Sequence, residues 1–292
     1  ISMLRQFDNY LCSLPQNTTE LTKEIVLEWT KRKSFEATST QLGRISLMRG
    51  LAEYMSRMGK KAYICPKSLV TVNRYSYTPY IFSKKEIASI FYACDNFPAS
   101  KESPNRQIIL SLVIRMIYGC GLRISEAVNL TISDVNLNEG TIFIKDTKFG
   151  KERLIPMADT LKKRCREYSI LVLTGKSDTS YFFPSPFGGH YKSNTIYGLF
   201  RKVLWAAGIS HTGKGPRLHD MRHTYAVHCL KKWALANRDM TNCMPYLSAY
   251  LGHEDLRGSQ RYLRLTADLY PDITSKVEKN CSWLIPEVNW HE

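Results

Sequence analysis

No stretch of this 292-residue chain reaches the roughly 18 uninterrupted apolar residues that a membrane-spanning helix needs, which predicts a soluble protein. Its eight cysteines (12, 65, 94, 120, 165, 229, 243 and 281) form no CxxC pair, and no signal peptide precedes them. They are expected to be reduced packing thiols in a cytoplasmic protein, not a disulfide framework. The seven histidines do not combine with them at zinc-ligand spacing, and no cluster of carboxylates offers a divalent cation a seat, so no metal is expected. Internal repeats and low-complexity tracts are absent too. Acidic residues are the minority, 26 Asp plus Glu against 41 Lys plus Arg, for a net charge of +15 and a pI near 9.4. Such an excess favours a polyanionic partner. Residues 1–82 carry 12 basic and 6 acidic side chains, so the charge is not confined to a tail and both halves are basic. The chain opens on Ile1 instead of Met, from which a fragment of a longer protein is expected.

The length predicts two domains, and the composition places the boundary near residue 76. Up to about Tyr75 the pattern is helical: in "TSTQLGRISLMRGLAEYMSRMGKK", Leu42, Ile45, Met48, Ala52 and Met55 fall on one face behind a Thr/Ser cluster suited to capping. Arg44, Arg49, Arg57, Lys60 and Lys61 occupy the other positions. They fit either a solvated face or a face laid on a phosphate backbone. "VTVNRYSYTPYIFSKKEI" then reads as an extended connector, and Ser83 with Glu86 has the spacing of a capping box that opens a new helix. Further on, "TIFIKDTKFGKERLIPM" has the alternation of a β-hairpin, Ile142 and Ile144 against Phe143 and Lys145, with Gly150 in the turn region and Leu154 in the second arm.

"GCGLRISEAVNL" sets Arg123 among residues with core character, Leu122, Ile124, Ala127 and Val128. A guanidinium there needs an anion, because a lone charge resists leaving water. Glu126 could supply it, and so could a ligand phosphate. Lys148 sits near the hairpin tip; His219 and Arg222 share a face in "LHDMRHTYAVHCL", at what reads as a helix start; "AYLGHEDLRGSQRYLRLT" adds His253 and Tyr262. Two arginines, a lysine, two histidines and a tyrosine, without metal-binding carboxylates, suit phosphodiester chemistry. Guanidinium forks can take the nonbridging oxygens, a histidine can take the phenolic proton, and a lysine can protonate the leaving oxygen.

In order and local setting, "GCGLRISEAVNL", "KFGKERLIP", "LHDMRHT", "LGHEDLRGSQRYLRLT" and the opening "TPYIFSKKEI" resemble the tyrosine recombinase family of the phage-integrase and Xer type. The motifs span about residues 77–275. The resemblance implies a mainly α fold with a small antiparallel β-hairpin or sheet in the catalytic domain (α+β), the whole forming a two-domain DNA clamp. Residues 1–76 would be the helical core-binding domain, with Arg44, Arg49, Arg57, Lys60 and Lys61 toward DNA; 77–292 would be the catalytic domain, ending in a tail over 273–292. By position the family's catalytic arginines fall on Arg123 and Arg222, its hairpin lysine on Lys148, its HxxR histidine on His219, its His-or-Trp position on His253 and its nucleophile on Tyr262. Glu126 matches a supporting residue that orients its neighbours.

The resemblance further implies a site-specific recombinase that integrates or excises a mobile element through a 3′-phosphotyrosine intermediate, with no cofactor, metal or ATP. Its partners would be double-stranded DNA carrying recombination sites, three further copies of itself in a tetramer on synapsed DNA, and accessory proteins, in the nucleoid of a bacterial cytoplasm. A type IB topoisomerase shares this chemistry on one duplex, and a non-catalytic DNA-binding regulator could share the scaffold. The tail's Trp283, Leu284, Ile285 and Trp290 could pack on their own domain or dock on a neighbouring protomer.

Overall fold

Ser83 and Glu86 close the capping box that their spacing predicts: the Glu86 amide donates to Ser83 Oγ at 3.2 Å and the Ser83 amide to Glu86 Oε2 at 2.7 Å. This junction lies just inside the second of two units, residues 1–78 and 79–292, into which the computed structural model divides. The structure describes residues 2–14, 20–70, 78–145, 150, 152–213, 215–253 and 257–263.

The first unit contains helices α1 (Ser2–Cys12), α2 (Lys23–Thr30) and α3 (Thr38–Arg57). Its core gathers Phe7, Leu21, Val26, Trp29, Ile45, Met48, Ala52 and Cys65. Along α3, Ile45, Met48 and Ala52 are buried, and Leu42 and Met55 flank them half-buried, as the 3.6-residue period requires. The Thr/Ser cluster does not cap this helix: Ala37 holds the cap position without a side-chain hydrogen bond, and Thr38, Ser39 and Thr40 lie in the first turn.

Arg44 corrects an expectation. It does not look outward to a phosphate backbone but is buried, donating from Nε to Glu36 Oε1 at 2.9 Å, from Nη2 to the Lys31 carbonyl at 2.9 Å and from Nη1 to the Trp29 carbonyl, with its guanidinium over the Trp29 ring. Helical spacing shows only which face a residue takes; the acceptors that drew Arg44 inward lie before α3. Arg49 is likewise engaged, donating to the carbonyls of Cys65 and Pro66 at 2.9 and 3.0 Å. Arg57, Lys60 and Lys61 are exposed.

In the second unit, α4 (Lys84–Asp95) and α5 (Arg106–Gly119) lead to the short α6 (Ile124–Val128), then to a three-stranded antiparallel sheet, β1 (Val135–Asn136), β2 (Thr141–Ile144) and β3 (Arg153–Pro156), in the order β1-β2-β3. Ile144 pairs with Arg153 and Ile142 with Ile155, so the predicted hairpin is present, with Ile142, Ile144 and Ile155 on its buried face. The sequence reading did not anticipate β1, whose two residues are too few to alternate. Helix α7 (Asp159–Tyr168) runs into a π-helical turn over Ser169–Leu173, and α8 (Ser193–Ala206), α9 (Leu218–Leu235), α10 (Met240–Leu251) and α11 (Arg257–Leu263) complete the unit's described helices. Every residue of α5 from Ile109 to Ile117 is buried, so this helix is the centre of the main core, each large aliphatic side chain stabilising by about 1.5–3 kcal/mol. The fold is thus mainly helical with one small antiparallel sheet. Among the described residues no helix is long and apolar enough to cross a membrane, and the described cysteines are free thiols.

A satellite core anchors α11 to the rest of the unit: Ala226, Val227 and Leu230 of α9 meet Met244, Leu247 and Leu251 of α10 and Tyr262 of α11.

Candidate active site

Glu126 is the hub. The Arg123 amide donates to its Oε2 at 2.9 Å, fixing the first turn of α6, and the Arg123 guanidinium reaches Oε1 at 2.6 Å. From β3, Arg153 adds a two-pronged contact, Nη2 to Oε2 at 2.8 Å and Nη1 to Oε1 at 3.2 Å; from α9, Arg222 Nη1 lies 3.7 Å from Oε2. Burial by itself would raise this carboxyl's pKa, but the hydrogen bonds from Arg153 and the Arg123 amide, with the charges of Arg153 and Arg222, outweigh it and hold Glu126 ionised below the usual carboxylate range.

One carboxylate cannot satisfy three guanidiniums, and the C-terminus of α10 supplies the remaining acceptors. The Tyr250 carbonyl accepts from Arg153 Nε at 2.9 Å, the Leu251 carbonyl from Arg222 Nη2, and the Gly252 carbonyl from Arg123 Nη2 at 3.0 Å. The last carbonyls of a helix have no partner within it and form the negative end of its dipole, so cations settle there. Gly252 ends α10 at φ +63°, and a Cβ on it would come within 2.7 Å of Arg153 Nη1, so both backbone and guanidinium require glycine here. Gly121, at φ +59°, turns its carbonyl to Arg222 Nη1 at 2.7 Å.

Arg222 is 1 % exposed, and burial followed by the charge of Arg123 lowers its pKa to about 10, which leaves it cationic at neutral pH. Arg123 retains solvent access, its side chain 18 % exposed, over Leu122, Ala127 and Val128, which are buried. Of its two anticipated partners, Glu126 is therefore present, and donors remain on the exposed side. Beside Arg123 opens a cavity of about 410 Å³ lined by polar groups including Ser125, Asn129, Thr131 and Lys145.

His219 and His253 both have pKa values lowered to about 4, by burial first and then by Arg222 and Arg123. His219 keeps an open edge to solvent, which screens part of that repulsion. At pH 7 both rings are neutral and able to take a proton. His253 comes directly after the Gly252 turn, its Nδ1 2.8 Å from Ser259 Oγ on α11 and its ring stacked on Tyr262 at 5.9 Å between centroids, 27° between planes. Tyr262 is 2 % exposed, and its hydroxyl lies 3.0 Å from His223 Nδ1.

Arg123, Arg222, His219, His253, Glu126 and Tyr262 are thus brought together from four separate parts of the chain, whereas Lys148 lies outside the described residues, as do residues 273–292. Two members of the cluster escaped the sequence reading. Arg153 had no readable signal, since its partner Glu126 stands on another element. His223 had one: it lies four residues after His219, the helical spacing that places both on one face of α9.

Phage integrase family is the description of the protein-family profile that matches residues 81–268. The y4rB integrase/recombinase of Sinorhizobium fredii is 30% identical over 277 residues, covering 90% of this chain and 86% of its own. A tyrosine recombinase of Pseudothermotoga lettingae is 27% identical over 276 residues, covering 92% and 87%. Among solved structures, the XerH site-specific recombinase in a post-cleavage complex with its palindromic difH substrate superposes with a TM-score of 0.68 at 21% identity, over 94% of this chain and 77% of that one, a likeness of fold. The match runs from Ile81 on the approach to α4 through Tyr262, across every element that builds the arginine and histidine cluster, and on this ground the chain belongs to the phage integrase family, the tyrosine-type site-specific DNA recombinases.

Proposed function

We propose that the chain cuts and rejoins DNA at specific sites through a covalent 3′-phosphotyrosyl intermediate on Tyr262, serving the integration or excision of a mobile element. The observation that carries this reading is the convergence of Arg123, Arg222, His219, His253 and Tyr262 about the end of α10, with Glu126 as the carboxylate that the arginines share. The names of the relatives support the mobile-element role: y4rB is named an integrase/recombinase, and a Tn1549 transposon integrase bound to DNA is among the structures of similar fold.

In the proposed reaction the Tyr262 oxygen attacks the scissile phosphorus while neutral His219 takes the phenolic proton. Ionising a phenol of pKa near 10 at pH 7 would otherwise cost roughly 4 kcal/mol. Arg123 and Arg222 hold the nonbridging oxygens as negative charge grows on them, the service a divalent cation gives elsewhere. The P–O5′ bond breaks, and the departing oxygen takes a proton from Lys148. The freed 5′-hydroxyl of the partner strand then attacks the phosphotyrosyl bond and releases the phenol. One ester replaces another, so neither ATP nor a metal is required. Exposed Arg57, Lys60 and Lys61 of the first unit would track the DNA backbone, and four copies would assemble on two synapsed sites.

The test is covalent capture. Purified protein incubated with fragmented DNA should yield an adduct whose sequenced DNA defines the site, and Tyr262→Phe should abolish the adduct while leaving duplex affinity within about twofold, a difference of only ~0.4 kcal/mol. An adduct that persists in Tyr262→Phe assigns the nucleophile elsewhere. Capture that survives EDTA but yields plasmid relaxation without exchange between two sites would move the chain to the topoisomerase reaction.

A further inference from the structure

His223 has no part in the reaction just proposed, yet its Nδ1 lies 3.0 Å from the Tyr262 hydroxyl. Three features make this more than incidental packing. The His223 ring is half-buried, so the nitrogen turned toward the phenol is not simply solvated. Its ring is also met edge-on by His219, with centroids 4.7 Å apart and planes at 88°. Tyr262 in turn is held on its face by His253, whose own Nδ1 is tied to Ser259 of the same helix, α11, at 2.8 Å. The phenol therefore stands between two imidazoles, one stacked on the ring and the other aimed at the oxygen: His223 lies on α9, which carries Arg222, and His253 follows α10, whose last carbonyls accept from the arginines.

From this geometry we infer that His223 is a positioning residue for Tyr262: it holds the phenolic oxygen on the side of α9 that bears Arg222 and His219, so that the oxygen meets a bound phosphate in line. The inference rests on Tyr262 being the nucleophile. The phenolic oxygen is rigid with its ring, so two side-chain torsions set its place. The apolar contacts of Tyr262 with α9 and α10 act on those torsions along the ring, and the His223 contact acts at the end that reacts, farthest from the backbone, where a small rotation displaces an atom most. A misplacement of about 1 Å at a reacting atom costs on the order of 100-fold in rate. His223 touches neither phosphate nor leaving group in this scheme and acts through Tyr262 alone.

Two measurements on the full chain decide it. The first needs no DNA. With ¹⁵N-labelled histidine, the His223 Nδ1 resonance should shift in Tyr262→Phe, which removes the oxygen and keeps the ring, and should stay in place in Tyr250→Phe, whose ring stacks on Tyr225 instead. An unmoved resonance in Tyr262→Phe overturns the inference. The second uses a nicked duplex bearing the captured site, in which the cut strand diffuses away and the adduct accumulates. His223→Ala should lower the maximal rate of adduct formation by about 10- to 100-fold with the half-saturating duplex concentration unchanged. His223→Asn, whose amide lies near the place of Nδ1, should recover at least half of that loss on a logarithmic scale. Wild-type or faster rates in His223→Ala, or equal loss in both variants together with weaker duplex binding, overturn the inference. Failure of the nucleophile assignment shows separately, as an adduct that survives Tyr262→Phe.

Discussion

The two units each bury an arginine against a glutamate, and they use the pair for opposite ends. In the first, Arg44 gives every nitrogen to an internal acceptor, is 3 % exposed and lies over Trp29, so no donor faces a ligand. In the second, Arg123 shares Glu126 with Arg153 and Arg222 and keeps an open side. The difference lies in the ratio of carboxylates to cations, since carbonyls accept from the guanidiniums in both units. One carboxylate balances a single guanidinium and makes a strut, whereas one carboxylate among three guanidiniums leaves positive charge over for an anion. Burial of an arginine is thus no guide to its use; what counts is whether its counter-charges are outnumbered.

The heaviest blow to this contrast is Glu126→Ala, which leaves three guanidiniums facing one another without their shared counter-charge. It should destabilise the second unit by about 3–5 kcal/mol, read by denaturant melts, and cleavage should fall with it. The matched pair Arg44→Ala and Arg123→Ala should then separate the two roles. Arg44→Ala leaves the half-buried Glu36 carboxylate without its partner and should lower the melting temperature of the first unit, while the cleavage rate at saturating duplex stays near wild type. Arg123→Ala should do the reverse, lowering cleavage by about 100- to 1,000-fold with little change in melting temperature. If both variants lose the same property, the contrast is gone. A smaller effect is expected from Gly252→Ala, at about 1–2 kcal/mol for the left-handed backbone, with more lost in cleavage than in stability because Arg153 must move aside.

The mildest probe is pH. His219 and His253 remain neutral in the folded chain down to about 4, whereas unfolded they take protons below their ordinary 6.5. Their contribution is intact above pH 6.5 and is lost as pH falls from there toward 4, since the unfolded state then binds more protons. Melting temperatures at pH 7 and pH 5 should show the drop, and His253→Gln should flatten it more than His219→Gln, because solvent already reaches His219. Cleavage should also decline on this acidic side, as the proposed base becomes protonated.

The sequence made legible whatever depends on residues close in the chain. The Ser83/Glu86 box, the apolar face of α3 and the alternation of β2 are all local patterns, and the structure contains each of them. Residues joined only by the folded topology were gathered by the family resemblance where it names a position, as at Arg123, His219, Arg222, His253 and Tyr262, and were missed where it names none. Arg44 was misplaced because its acceptors precede the helix that carries it, and Arg153 was missed because its partner stands 27 residues earlier on another element. His223 lay in plain sight within "LHDMRHT", but what gives it meaning is an oxygen 39 residues later, on α11.

Tyr250, Leu251 and Gly252 offer their carbonyls in succession, one to each guanidinium, and this makes α10 a ruler. Tyr250 and Leu251 are displaced by about 1.5 Å along the axis and turned by a fixed angle, and the left-handed turn at Gly252 sets the third carbonyl, so backbone geometry constrains the mutual placement of three long side chains. Each would otherwise forfeit about 2 kcal/mol of rotamer freedom on meeting an anion. That loss falls during folding, and in the proposed reaction an incoming backbone oxygen would find its docking points already immobilised.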